Sequence, residues 1–193
     1  MNYLLIGTKL FHMKNAFFLL LISLLLYSCK CEREEVGRNL LITENKEYLN
    51  TNKRIVEYYN QDNVIVKANF DGAKTIISED KEGPEVCSYI TNEKATENFV
   101  FGSYSGTVFF YNTVLYIELY NGVERNVFNL LDIPDAKYDN ALQNITLNGF
   151  TFNNVLVFVK VSEGGSINKI IYSKTNGIEF ILFEDGTWYK RVE

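Results

Sequence analysis

Ile167-Asn-Lys-Ile-Ile-Tyr-Ser-Lys-Thr-Asn-Gly-Ile-Glu-Phe-Ile-Leu-Phe-Glu-Asp-Gly-Thr-Trp-Tyr-Lys-Arg191 is the stretch that decides the fold. Three short runs, Ser166–Ser173, Ile178–Glu184 and Thr187–Val192, are rich in β-branched and aromatic residues, and Asn176-Gly177 and Asp185-Gly186 separate them. Asx-Gly steps suit type I′ hairpins, in which both central residues take positive φ and the turn matches the twist of its strands. In the middle run, strict alternation puts Ile178, Phe180 and Leu182 on one face and Ile181 and Phe183 on the other. A strand apolar on both faces is covered on both, so this one is expected to be central.

The same pattern extends backwards. Asp71-Gly72, Asn121-Gly122 and Asn148-Gly149 are further Asx-Gly steps, and Gly164-Gly165 supplies another turn. Strand-like runs lie between them: Arg54–Tyr59, Asn63–Phe70, Thr107–Tyr111, Thr113–Tyr120, Asn144–Leu147 and Phe150–Val161. In the last of these Val155, Val157, Val159 and Val161 alternate onto one face. Residues 86–99 carry no 3.6-residue period, and residues 135–142 offer one helical turn after Pro134. Hydrophobic residues make up 47% of the chain, which excludes a disordered class, and 193 residues suit one domain better than two. The expected fold is all-β with at most one or two short helices: an antiparallel meander forming a curved sheet, a sandwich or a partial barrel. That domain is expected over residues 46–193.

The N-terminus carries a separate message. Ala16–Leu26 is apolar except for Ser23, and Lys14 precedes it. Such a run rises only about 16–17 Å as a helix, against about 30 Å for a bilayer core. Extending it through Tyr3–Ile6 would place Lys9, His12 and Lys14 inside the span. The segment therefore reads as an export signal over residues 1–28, and Met13 begins a more ordinary signal than Met1 does. It ends in Leu26-Tyr27-Ser28-Cys29, which resembles the lipobox of bacterial lipoproteins: an aliphatic residue three before the cysteine and a small residue just before it. Tyr27 is bulkier than the usual occupant of its place. The resemblance implies acylation of Cys29, a membrane partner through that anchor, and a place on the outer membrane or cell surface. Residues 29–45, with the charged run Lys30-Cys-Glu-Arg-Glu-Glu35, read as a flexible tether; an acidic cluster there also resembles the surface-export signal of Bacteroidota lipoproteins.

The C-terminal stretch carries a second resemblance. Its Ile-Tyr-Ser strand turns through a Gly into an apolar strand and ends near a Trp, and Gly149-Phe-Thr-Phe-Asn-Asn-Val155 precedes it. This is similar to the end of many small uncharacterised lipoproteins of the Bacteroidota. The similarity covers about the last quarter of the chain, implies antiparallel β architecture, and brings no activity with it.

Little chemistry is legible. The sole histidine, His12, lies in or before the signal, so the chain behind it has no Ser-His-Asp or Cys-His catalysis and no His-containing metal site. Gly102-Ser-Tyr-Ser-Gly106 is not a nucleophile elbow; its spacing is Gly-x-x-Ser-Gly. Asp132, Asp135 and Asp139 present the hard oxygen ligands that suit Ca²⁺ but lack the spacing of an EF-hand loop. Those three, with Glu179 and Glu184, are also the carboxylates from which a glycan hydrolase would draw its pair. Tyr58, Tyr59, Tyr104, Tyr111, Tyr116, Tyr120, Trp188 and Tyr189 are available for stacking on sugars, but alternating strand aromatics more often form core and cross-strand pairs. Trp188 is expected as a core plug, with Trp188 and Tyr189 the binding candidates should that reading fail. Cys31 and Cys87 leave two readings open, a bridge between them or a buried strand thiol at Cys87. A net charge of −5 without basic clusters argues against nucleic acid. The expectation is a non-enzymatic envelope lipoprotein with a binding or structural role, with a glycan or an envelope protein as candidate partner and no cofactor. Its alternatives are a carrier of an apolar ligand in a β cavity and a carboxylate-dependent glycan hydrolase.

Overall fold

Period-2 alternation governs most of the chain, and the computed structural model, which describes residues 32–81, 87–111, 113–130, 133, 137–160 and 165–193, is built almost wholly from strands. In chain order these are β1 (Glu34–Asn39), β2 (Arg54–Asn60), β3 (Ile65–Phe70), β4 (Lys74–Lys81), β5 (Ser88–Phe101), β6 (Tyr104–Tyr111) and β7 (Val114–Tyr120). They continue as β8 (Arg125–Asn129), β9 (Gln143–Leu147), β10 (Phe150–Val159), β11 (Ile167–Ser173), β12 (Gly177–Phe183) and β13 (Trp188–Arg191). One helical turn, α1 (Thr43–Lys46), precedes β2, and a 3-10 helix (Tyr138–Ala141) precedes β9. No helix among the described residues is long and apolar enough to cross a membrane.

The chain divides into two compact units, Met1–Val36 with Lys81–Tyr89, and Gly37–Asp80 with Ile90–Glu193. In the smaller unit the Arg33 guanidinium lies 5.1 Å from the centroid of the Tyr89 ring, and the Glu34 amide donates to the Cys87 carbonyl at 3.3 Å. Cys87 is disulfide-bonded. Its partner lies outside the described residues, since the other cysteines are Cys29 and Cys31.

The larger unit carries the antiparallel sheet, in the order β8-β7-β6-β5-β3-β2-β13-β12-β11-β10-β9, with β1 and β4 paired to β5 off this path. β2 next to β13 joins the two ends of the chain: Tyr189, Lys190 and Arg191 oppose Asn60, Tyr59 and Tyr58. The sheet curls into a half-barrel, so β8 comes back to β11, where Asn126 Oδ1 accepts the Ile167 amide at 3.0 Å. The inner face is filled by Tyr58, Phe110, Ile117, Phe158, Tyr172 and their neighbours, each 2% exposed or less. Each such side chain contributes about 1.5–3 kcal/mol by leaving water. The buried tyrosine hydroxyls find acceptors: Tyr58 donates to the Ile178 carbonyl at 2.8 Å, and Tyr172 to the Tyr48 carbonyl.

A second, smaller core lies on the outer face. Phe150 approaches Trp188 at 5.1 Å and Tyr59 at 6.4 Å, although β10 is separated from β13 by two strands. The cause is a bulge. Phe152 opposes Ile145 while Val155 opposes Gln143, so β10 gains one residue and bends, with Asn154 at φ 54°. The β9–β10 hairpin thereby folds across the back of β11–β13, covering Ile171 and Phe180, both 0% exposed.

The central, doubly covered β12 is as expected, but its alternation is not. Ile171 opposes Phe180 and Tyr172 opposes Ile178, so Glu179 is an extra residue, and Ile178 faces the inner core with Ile181 and Phe183. Of the Asx-Gly steps, only Asn148-Gly149 takes the doubly positive type I′ form, with φ 49° and 82°. At the other four the glycine alone is positive, because longer connections need one left-handed residue and not two. Val155 and Val157 lie in the outer core, whereas Val159 runs out to 52% exposure.

Residues 34–45, expected as tether, form β1 and α1 and bury Leu41 at 5% exposure. Strands β1, β4, β5 and β8 were not anticipated. β5 was hidden because its buried residues include Asn92, Glu93 and Glu97, which break the apolar alternation on which the sequence reading depends.

Candidate functional site

Two bulges and a turn bring polar side chains to one end of the larger unit. The β10 bulge presents Asn153 and Asn154, the β11–β12 turn presents Lys174, Thr175 and Asn176, and the β12 bulge presents Glu179. Gly177 takes φ 78° in that turn, where an L side chain would be strained. These residues, with Ser173 and with Asp139 from the 3-10 helix, line a concavity of about 440 Å³.

Its hydrogen bonds are specific. Ser173 Oγ donates to Glu179 Oε1 at 2.6 Å and accepts the Asn176 amide at 3.0 Å. Asn176 Nδ2 donates to the same carboxylate oxygen at 2.8 Å. Asp139 accepts the Tyr48 hydroxyl at 2.7 Å and pairs with Lys174 Nζ at 3.2 Å, and Lys174 also reaches Glu47 at 3.0 Å. Tyr48's hydroxyl, helped by Lys174, holds the Asp139 carboxyl below its usual range. Burial, then Asp139 itself, pushes the Tyr48 hydroxyl up. Burial also raises the neighbouring Tyr138 to about 12, and its hydroxyl donates to the Thr113 carbonyl at 2.9 Å.

Two further concavities adjoin. One of about 340 Å³ shares Asp139 and is lined by Lys137, Asn140 and Asn45. Asn45 is 1% exposed, and its Nδ2 has no acceptor among the described residues. The other, of about 310 Å³, shares Lys174 and Thr175 and adds Asn50, Thr51 and Arg54. Arg54 runs inward from its rim, stacks 4.3 Å from the Phe70 centroid and pairs through both nitrogens with Glu97, which is 0% exposed. Burial raises the Glu97 carboxyl against the pull of Arg54.

No protein-family model, no curated protein and no solved structure matches this chain. Its chemistry is therefore read from the side chains alone. Asp139 and Glu179, named among the possible hydrolytic carboxylates, line one concavity. A depressed Asp139 is ionised at neutral pH and cannot be the general acid of glycoside cleavage. Glu184 pairs with Lys160 at 2.9 Å, and Asp185 caps its own turn through Thr187.

The other candidate residues are dispersed. Trp188 and Tyr189 do not form one surface, because adjacent strand residues point to opposite faces. Trp188 stacks on Phe180 at 5.7 Å in the outer core, and Tyr189 packs edge-on to Phe101 at 5.0 Å on the inner side. Tyr58 is buried, and Tyr104 bonds Ser166 at 3.0 Å; Tyr111, Tyr116 and Tyr120 lie on the outer face of β6 and β7. Asp132, Asp135 and Cys29 lie outside the described residues. Among the described residues no three His, Cys, Asp or Glu side chains are grouped as a metal site would need. Sequence reasoning missed Asn153, Lys174 and Thr175, and the one available signal was Asn153-Asn154 interrupting an otherwise apolar run.

Proposed function

We propose that this is a lipid-anchored protein of the bacterial cell envelope, acylated at Cys29, whose role is to bind and not to catalyse. The observation that carries the reading is the disulfide at Cys87. Disulfides persist in oxidising compartments, which is where the apolar segment and Leu26-Tyr27-Ser28-Cys29 would deliver the chain. The concavities around Asp139 and Lys174 support a binding role, since their polar groups are held in place by one another and by a rigid sheet. Metabolic labelling with a fatty-acid analogue, followed by membrane fractionation, tests the anchor. Wild type should be labelled and sediment with membranes, and Cys29→Ser should lose both properties; equal labelling of the two overturns the reading.

A carboxylate-dependent glycan hydrolase is the second reading, favoured by the shared concavity of Asp139 and Glu179. Both carboxylates are already engaged, Asp139 by Tyr48 and Lys174 and Glu179 by Ser173 and Asn176, which speaks against it, and incubation with a glycan panel should release no reducing ends.

A further inference from the structure

The geometry points to a binding site for a neutral oligosaccharide along the three adjoining concavities that meet at Asp139, Lys174 and Thr175. The inference deepens the binding reading proposed above and rests on it.

Charge comes first. Lys174 is matched by Asp139 and Glu47, and Arg54 by Glu97, so the cations at the centre of the groove are already neutralised. An ionic ligand at the junction of the concavities would have to break one of these pairs; of the other lining charges, Lys137 and Glu44 offset each other in sign and Glu179 is already hydrogen-bonded by Ser173 and Asn176. Hydrogen-bonding capacity comes second. The side chains of Thr51, Asn140, Asn153 and Thr175 line the three concavities and make no hydrogen bond among the described residues. The Asn45 Nδ2, buried on the wall of one of them, also has no acceptor among the described residues, and a buried amide donor without a partner costs stability. A ligand hydroxyl or a water it retains would relieve that cost. Carboxamides and hydroxyls that both donate and accept complement sugar hydroxyls, which do the same. Third is extent. The concavities of about 440, 340 and 310 Å³ each fall within the range of about 300–1,000 Å³ typical of ligand clefts, and shared residues join them, so an elongated ligand fits better than a compact one. Tyr48 is 2% exposed and offers no stacking surface, so hydrogen bonds alone would hold the sugar. The dissociation constant is accordingly expected near the weak end, on the order of 1 mM.

Saturation-transfer NMR on the full-length chain in lipid nanodiscs tests this, with cellotetraose, mannotetraose and chitotetraose as probes and tetragalacturonate as the charged control. At least one neutral tetrasaccharide should bind, and tetragalacturonate should bind more weakly. Thr175 is exposed where two concavities meet, so Thr175→Trp fills the junction without touching the core and should weaken binding by about tenfold, equivalent to 1.4 kcal/mol. Ser103→Trp, in the exposed β5–β6 turn, should bind like wild type, and thermal melting confirms that both variants fold. Absence of any tetrasaccharide binding, unchanged binding by Thr175→Trp, or preference for tetragalacturonate each overturns the assignment. Fractionation of the same preparations reports on the anchor independently, so a failed glycan site and a failed envelope reading give different results.

Discussion

A Cβ placed on Gly106 would sit 2.1 Å from Cζ of Phe99, the residue directly opposite it on β5. The Phe99 ring lies over the glycine and stacks on Phe70 at 4.9 Å, so moving it disturbs the inner core. Gly106→Ala should therefore lower stability by about 1–3 kcal/mol, read as a reduced urea midpoint with unchanged slope. Asp139 makes the complementary point for charge. Its folded-state pKa is lowered, so its contribution to stability is present above the ordinary carboxylate pKa of about 3.9 and is lost as pH falls below it. Wild type should lose melting temperature between pH 5 and pH 3, and Asp139→Asn should lose less over the same interval while starting lower. Equal acid sensitivity would place the titrating group elsewhere.

Among the elements, β12 does most to shape the molecule, because its bulge and its turn serve different ends. The bulge at Glu179 turns Ile178 into the inner core and sets the carboxylate beside Ser173 and Asn176. The turn needs Gly177 at φ 78°, and a Cβ there would also lie 3.4 Å from the Arg54 guanidinium. Gly177→Val should cost about 1–3 kcal/mol, measured by thermal melting. The β9–β10 hairpin is held to the sheet by the aromatic group Phe150, Phe180 and Trp188. Trp188 is half-buried, so Trp188→Ala should cost about 3 kcal/mol, the lower end for a large aromatic. An unchanged melting temperature would mean that the outer core contributes nothing to stability.

At the scale of the whole chain, the cysteines link address and fold. Under the proposed anchor the Cys29 sulfur is held in a thioether, which leaves Cys31 as the cysteine able to pair with Cys87. Mass spectrometry of unreduced peptides from membrane-extracted protein should find residues 31 and 87 joined and Cys29 carrying acyl chains. A Cys29–Cys87 peptide would defeat the lipoprotein reading outright, because one sulfur cannot hold both bonds.

Period-2 alternation and Asx-Gly steps made an antiparallel β chain, a central β12 and the hairpin at Asn148-Gly149 legible before any contact was known. These are local signals, carried by residues two apart or by one turn. That the sole histidine is His12, ahead of every described strand, likewise restricted the chemistry without reference to any contact. Long-range packing settled which face each side chain takes beyond a bulge, because one inserted residue inverts everything after it. It also decided that Trp188 and Tyr189 serve different cores, and that Glu97 is an inward residue neutralised by Arg54 from two strands away. The meeting of Asp139, Lys174 and Glu179 was equally invisible in sequence. It depends on where a 3-10 helix and a hairpin turn fall at the end of a curled sheet, and that placement follows from packing over separations no local pattern records.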